Sequence, residues 1–460
     1  MHRQRDTDES RFQWAPQPEA AALVQRLLDE FLRSNDWAAR FAERLREETG
    51  TRLIDWVDHL AVPDNEDLKA ELFQLGFQSL VSDDTSQWRQ PEGLFPVIVL
   101  RHDAQSALAV RVESVSDFLA AHSIAGDVVI KGDVIEGDPL SPLRTARVAS
   151  AAGSELWVVE RHGYEGWKSV TPHAANVRAI LRHTEAFRHR RREFATDVEA
   201  FDHTQALIEA AVTDVGTGRA ADLFFGAERE YWQWRNRAAR IQRARQDALG
   251  LGWANHDHHT YRSSREHFAR LIRLFELLGC QCRERFFAGA EAGWGAQVLE
   301  QPSCRIVIFA DVDLSAEEVS GDFAHDELAA RDQLGTVGLW CRLHGEAFLQ
   351  AGMHHLECQF DFDRAREQLR AAGVETMSPF TDFEYLKQAF TEGEMWPVAE
   401  PRIEAALAEG FITDEEAERF GREGALGSHL EILQRDDGYK GFNQTGISEI
   451  IKKTDPRNSW

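Results

Sequence analysis

Cysteine is scarce in this 460-residue chain, and the five present (Cys280, Cys282, Cys304, Cys341 and Cys358) form an odd set with no Cys-x-x-Cys pair. That argues against a secreted disulfide scaffold and a thiolate zinc site, and reads the thiols, including the strand-spaced Cys280 and Cys282, as reduced core residues. Long apolar runs are missing too, since no stretch approaches the roughly 18 residues a membrane span requires. The first residues, Met1-His2-Arg3-Gln4-Arg5-Asp6-Thr7-Asp8, hold no apolar signal region. The expected location is cytoplasmic, with no membrane partner. Positive charge is in deficit: 52 Lys and Arg face 77 Asp and Glu, a formal net charge of −25. Such a surface repels a phosphate backbone, which disfavours nucleic acid as a partner.

What the chain does contain is ample for real cores: 43% hydrophobic residues, 13 Trp and 27 Phe, a balance that excludes wholesale disorder. Its length predicts two or three modules. Residues 1–12 read as a disordered tail and 13–172 as an N-terminal α+β domain, helical at first and then carrying β-like runs at 95–100, 127–130 and 155–159. Residues 173–250 read as a helical connector that ends at Gly250-Leu251-Gly252. Its Arg-dense stretch (Trp232, Trp234, Arg235, Arg237, Arg240, Arg243, Arg245) has the composition of a single-strand-binding platform. The acidic balance favours the other reading, a long amphipathic helix whose Arg stems cover a neighbouring module.

Residues 251–460 predict a β-α-β-β-β pattern given twice around one cleft. The first copy has strands near 255–261, 280–287, 295–300 and 305–310, with a helix at 265–278 capped by Ser263 or Ser264. The second has strands near 347–361 and 429–435, a helix at 364–372, and a helical insertion at 374–427 whose Thr413-Asp414-Glu415-Glu416 is a capping box.

Strand periodicity selects the candidate site. In His256-Asp257-His258-His259-Thr260-Tyr261-Arg262 one face carries His256, His258, Thr260 and Arg262. An imidazole and a guanidinium four residues apart, ~13 Å along a strand, suit one metal ligand and one anchor for a substrate carboxylate. In Met353-His354-His355-Leu356-Glu357-Cys358-Gln359-Phe360 the apolar face carries His354, Leu356, Cys358 and Phe360, leaving His355, Glu357 and Gln359 toward the cleft. Glu431 adds a carboxylate from a third strand. Two imidazoles and a carboxylate make the facial set that binds non-haem Fe(II) with open positions, and Mn, Co or Zn would accept the same donors. His256 competes with His258 as ligand.

Asp257-His258-His259-Thr260-Tyr261-Arg262, Leu274-Phe275-Glu276-Leu277-Leu278-Gly279, His355-Leu356 and Glu431-Ile432-Leu433-Gln434-Arg435 together resemble the 2-oxoadipate dioxygenase/decarboxylase family of the vicinal oxygen chelate superfamily. The resemblance covers about 252–440. It implies an α+β fold whose C-terminal part is a vicinal-oxygen-chelate-like pair of βαβββ modules around a metal cleft, behind an N-terminal α+β and helical region. It further implies that His258, His355 and Glu431 bind Fe(II), that Arg262 holds a substrate carboxylate, and that Gln434 and Arg435 support the metal shell or bind substrate. The implied activity is Fe(II)-dependent dioxygenation, with decarboxylation, of a small 2-oxo acid. The partners expected are that carboxylate and O₂, with a homo-oligomer allowed.

Two other functions fit the same residues: a metal-dependent lyase, isomerase or hydrolase of the superfamily, and a non-catalytic small-molecule binding protein. Glu160-Arg161-His162-Gly163 reads as a turn; Glu291-Ala292-Gly293-Trp294-Gly295 reads as a hairpin at the cleft mouth, where a plain turn is favoured over a role for Trp294 in packing on substrate. Cys341 with His344 lacks any local feature that would stabilise a thiolate.

Overall fold

The computed structural model describes residues 14–82, 85–124, 135–151, 153–381, 383–443 and 454–458. The expected tail and the expected strand at 127–130 lie outside them. Two eight-stranded sheets organise the chain. The first holds β1 (Val57–Pro63), β2 (Gln78–Ser82), β3 (Thr85–Arg89), β4 (Val97–Arg101), β5 (Ser106–Arg111), β6 (Ile135–Glu136), β7 (Leu143–Ala151) and β8 (Ser154–Arg161). The second holds β9 (His256–Arg262), β10 (Gln281–Phe287), β11 (Trp294–Gln301), β12 (Ile306–Asp313), β13 (His355–Gln359), β14 (Leu386–Phe390), β15 (Glu394–Trp396) and β16 (Ala425–Arg435).

The strand order is β2-β3-β4-β1-β5-β8-β7-β6 in one sheet and β10-β11-β12-β9-β13-β16-β14 in the other, with β15 on β16. In both, the opening strand of each module pairs parallel with its closing strand, and the two opening strands meet antiparallel at the centre. A helix follows each opening strand: Glu66–Gln74, Val115–Ala121, Phe268–Leu277 and Phe362–Ala371. The paired βαβββ arrangement expected of the C-terminal half is therefore present, and the N-terminal half repeats it. Parallel pairing requires a crossover, and the helix in each module supplies it while covering one face of the sheet.

The N-terminal helix-covered face buries Leu60, Leu108, Val110, Leu156 and Val158 against Leu72 and Phe118. Its opposite face carries His59, Ala109 and Trp157 in one cross-strand row and Ala61, Ala107 and Glu155 in the next. In the C-terminal sheet the helix-covered face buries Tyr261, Leu356, Cys358, Leu430 and Ile432 with Leu271 and Phe275. The helices Ala174–Arg188, Asp197–Val215 and Thr217–Trp234 extend that core through Phe187, Phe201, Phe224 and Phe225.

Several elements differ from expectation. The Arg-dense stretch is two helices, Thr217–Trp234 and Arg237–Asp247, divided where the Asn236 side chain caps the second by accepting from Ala239 N. Trp232 is buried and donates to Ser428 Oγ at 2.8 Å, and Arg235 donates to the Gln350 carbonyl, so these groups are consumed by packing rather than offered to a nucleic acid. The stretch 374–427 holds helices Glu400–Ala408 and Asp414–Glu423 as expected, but also β14 and β15, which complete the fourth module by pairing with β16. Neither Ser263 nor Ser264 caps the first helix; Ser263 Oγ donates to Glu346 instead. Glu160 and Arg161 end β8 rather than forming a turn. No helix among the described residues is long and apolar enough to cross a membrane.

Candidate metal centre

Three central strands of the second sheet, β9, β13 and β16, turn their uncovered face to a cavity of about 70 Å³. Register decides which side chains meet there. His258 stands opposite Glu357, and Glu357 opposite Glu431, so one cross-strand row reads His258, Glu357, Glu431. The next row reads Thr260, His355, His429. Directly opposed residues on one face of a sheet have Cβ atoms roughly 5 Å apart, close enough for long side chains to converge. They do: one donor atom from each of His258, His355, Glu357 and Glu431 lies within 4.8 Å of all the others.

The three residues expected to converge, His258, His355 and Glu431, are thus brought together. Glu357 joins them although it was expected only to face the cleft. His258 Nε2 pairs with Glu357 Oε2, while His355 Nε2 lies 3.4 Å from Glu357 Oε1 and 3.5 Å from Glu431 Oε2. All four residues are at least nine-tenths buried. A second set, His354, His355 and His429, also falls within 4.8 Å and shares His355. His354 was expected on the apolar face. Because β13 begins at His355, strand alternation does not reach it, and its Nδ1 lies 2.8 Å from His355 Nδ1.

A β-bulge explains how His258 is held. Glu357 pairs with His258 and Cys358 with His256, which leaves Asp257 as an extra residue in β9. The bulge frees the Asp257 carboxylate to meet His258 Nδ1 at 3.0 Å, fixing the tautomer that presents Nε2 to the cluster. It also breaks the expected alternation: His256 is absent from this cavity's wall, and its Nδ1 donates to the Trp253 carbonyl at 2.9 Å. Arg435 grips Asp257 through two hydrogen bonds of 3.0 and 3.1 Å, so it supports the shell at one remove. Burial alone would raise the Asp257 carboxyl; Arg435 and the hydrogen bond from His258 outweigh it and hold the group well below its ordinary range. Gln434, also expected near the shell, faces the other side of β16, where its Oε1 accepts from Phe362 N at 2.9 Å. Odd and even positions of a strand cannot share a face.

Arg262 lines the same cavity and is 2% exposed, yet its Nε and Nη1 have no hydrogen-bond partner. The nearest carboxylate, Asp311, stays 4.0 Å away. Burial pushes Asp311 up to about 8 despite Arg262, so at neutral pH it is a poor counter-ion. Trp294 also reaches the wall, its indole N–H unpartnered, and Phe286, Phe309, Phe390 and Phe442 supply an apolar lining. Cys341 carries no nucleophile: burial raises its thiol, and the neighbouring His344 is pushed down to about 3.

The donor set fits a divalent cation. Glu431, whose Oε1 accepts from Gln388 at 2.9 Å, is pushed well above the usual carboxyl range by burial, and a neighbouring cation would reverse that. His429 has both ring nitrogens buried and unpartnered. Burial likewise lowers seven imidazoles of the C-terminal half, His256, His258 (to about 4), His259, His344, His354, His355 and His429. The unfolded chain protonates each near pH 6.5, the folded chain only at lower pH. The contribution of these imidazoles to stability is therefore intact above that value and declines as pH falls through it, by about 1.4 kcal/mol per pH unit for each imidazole the unfolded state protonates, and their number outweighs the opposite contribution of the raised carboxyls of Asp311 and Glu431. Urea midpoints of metal-free protein at pH 7.5, 6 and 5 are expected to fall in that order, and a flat series would contradict neutral burial.

No protein-family model and no curated protein matches the chain. Among solved structures, a 4-hydroxymandelate synthase mutant from Streptomyces coelicolor is 13% identical, covering 88% of this chain and 98% of its own, with a TM-score of 0.25. Methylmalonyl-CoA epimerase from Mycobacterium tuberculosis is 14% identical over 40% of this chain and 88% of its own, with a TM-score of 0.23. A xylose isomerase-like TIM barrel/4-hydroxyphenylpyruvate dioxygenase fusion protein is 14% identical over 90% of this chain and 56% of its own, with a TM-score of 0.23. Likenesses this distant carry nothing about activity.

Proposed function

We propose that this chain is a non-haem Fe(II)-dependent dioxygenase acting on a small 2-oxo acid or related carboxylate, with decarboxylation. His258, His355 and Glu431 would hold the metal, with Glu357 beside them as a further donor. The observation that carries the reading is the convergence of these four buried groups in a cavity that also holds the unpartnered guanidinium of Arg262. Bound there, Fe(II) would supply activation of O₂.

The chain's own residues account for the rest. Asp257 and Arg435 hold His258 in one tautomer. Arg262 exchanges an uncompensated buried charge for a substrate carboxylate, an interaction strengthened by the low local dielectric. The Trp294 indole N–H is available to a second substrate oxygen. The phenylalanine lining keeps water from the reacting centre.

Glu357 supports a second reading. A carboxylate beyond the two imidazoles and one carboxylate that iron needs is free to act as a general base, as in a metal-dependent isomerase or lyase that consumes no oxygen. Oxygen uptake by iron-loaded protein across a panel of small 2-oxo acids tests the choice. Iron-dependent uptake with stoichiometric CO₂ release is expected. Turnover of a carboxylate without oxygen uptake would overturn the dioxygenase reading in favour of the second.

A further inference from the structure

A second cavity, of about 540 Å³, opens where β5 and β8 of the first sheet, the connector helices and the start of β9 meet. Guanidinium groups dominate its wall in a chain whose net charge is −25. The four carboxylates in that wall are already engaged. Glu113 and Asp247 pair with Arg243 at 2.6 and 2.7 Å, Asp222 with His162 at 3.0 Å, and Glu230 with Arg188 at 2.9 Å. Arg161 is taken up by Asp58, behind the wall, at 2.8 Å.

Three cations make no ion pair closer than 3.9 Å among the described residues, although Asp222 and Glu160 act on Arg219, and Asp58 on Arg111, from further off. Arg219 is 9% exposed, lines the cavity, and has no hydrogen-bond partner for Nε or Nη1. Arg111 donates only to the Cys304 carbonyl, at 3.0 Å, and burial together with Arg305 pushes its guanidinium down to about 10. Arg229 reaches the already committed Glu113 only at 3.9 Å, and its Nη1 rests on His259 Nε2 at 3.3 Å. All three line the cavity together with Cys304, whose thiol feels Asp222 as well as the three guanidinium groups. Uncompensated buried charge is costly to folding unless a ligand supplies the counter-charge. Trp234, also in the wall, is 71% exposed and offers a flat apolar surface beside them.

We propose that this cavity binds a multivalent oxyanion, a phosphate ester or a polycarboxylate, between Arg111, Arg219 and Arg229. The guanidinium fork matches the oxygens of either group in pairs. The site is separate from the metal centre and does not depend on what that centre does.

Calorimetric titration of the full-length protein with inorganic phosphate, ADP and propane-1,2,3-tricarboxylate tests it and separates the two ligand chemistries. Saturable binding of at least one of the three at one equivalent is expected. Arg219→Gln is expected to weaken that binding at least tenfold, with a melting temperature without ligand no lower than that of the parent, because no hydrogen bond of its Nε or Nη1 is lost. Arg422→Gln, at an exposed ion pair with Glu423, is expected to bind as the parent does. Absence of saturable binding for all three probes would overturn the proposal. So would binding that Arg219→Gln retains at full strength, since it would then lie elsewhere, the metal cluster included. If Arg219→Gln does not fold, Arg111→Gln is read by the same criterion.

Discussion

Glu431→Gln is expected to leave the fold standing and to remove the iron. The substitution is isosteric, and its carbonyl oxygen still accepts the hydrogen bond that Gln388 gives Glu431 at 2.9 Å. What it removes is an anionic donor and a carboxyl that burial disfavours in its charged form. Loss of an outer-shell partner commonly costs 10- to 100-fold in metal affinity, so loss of a direct ligand should cost at least about 100-fold. Bound metal at 100 times its dissociation constant stabilises a protein by about 2.7 kcal/mol, and the variant should forfeit most of that shift while melting no lower than the metal-free parent. Anaerobic titration with Fe(II), read by metal content and melting temperature, gives both numbers. Stoichiometric iron retained in Glu431→Gln but lost in His429→Asn would move the centre to His354, His355 and His429, the other set within reach.

Arg262→Met is expected to separate substrate handling from metal binding. Arg262 touches no member of the four-donor cluster through a hydrogen bond, and its Nε and Nη1 are unpartnered in the cavity wall. Breaking a buried charge pair costs about 3–5 kcal/mol, which corresponds to a fall in kcat/KM of roughly two to four powers of ten for a carboxylate substrate. Iron content should stay at the parent's level. The metal-free variant should melt higher, since a packed apolar side chain replaces a buried cation with a poor counter-ion. Oxygen uptake against 2-oxo acid concentration, alongside iron analysis, checks each part. Undiminished turnover, or loss of iron, would remove Arg262 from the role of anchor.

The strand periodicity around His258, His355 and Glu431 was legible because each lies in a stretch whose alternation holds, from His258 to Arg262, His355 to Glu357 and Glu431 to Arg435. Glu357 sat in plain view on the same face as His355, but only the pairing register shows that it, and not His355, is the direct neighbour of both His258 and Glu431. Register depends on partners remote in the chain, and nothing local encodes it. The bulge at Asp257 was hidden for the same reason, which is why His256 looked equivalent to His258. Gln434 was misdirected by resemblance where parity alone would have turned it away. The N-terminal sheet is harder to see as a second pair of modules because its central strand β5 bears Ala107 and Ala109 on the uncovered face, where β13 bears His355 and Glu357, even though His59 and Glu155 flank them.

The four converging donors span residues 258 to 431, and the last arrives on β16, the closing strand of the final module. During synthesis the N-terminal sheet and the connector helices can form while the chain is still emerging, since domains fold as units in the order they are made. The face that gathers the four donors cannot exist until β16 has been made. An incomplete cluster is thereby limited to the donors of β9 and β13, and the fourth joins only when the last module closes on the sheet.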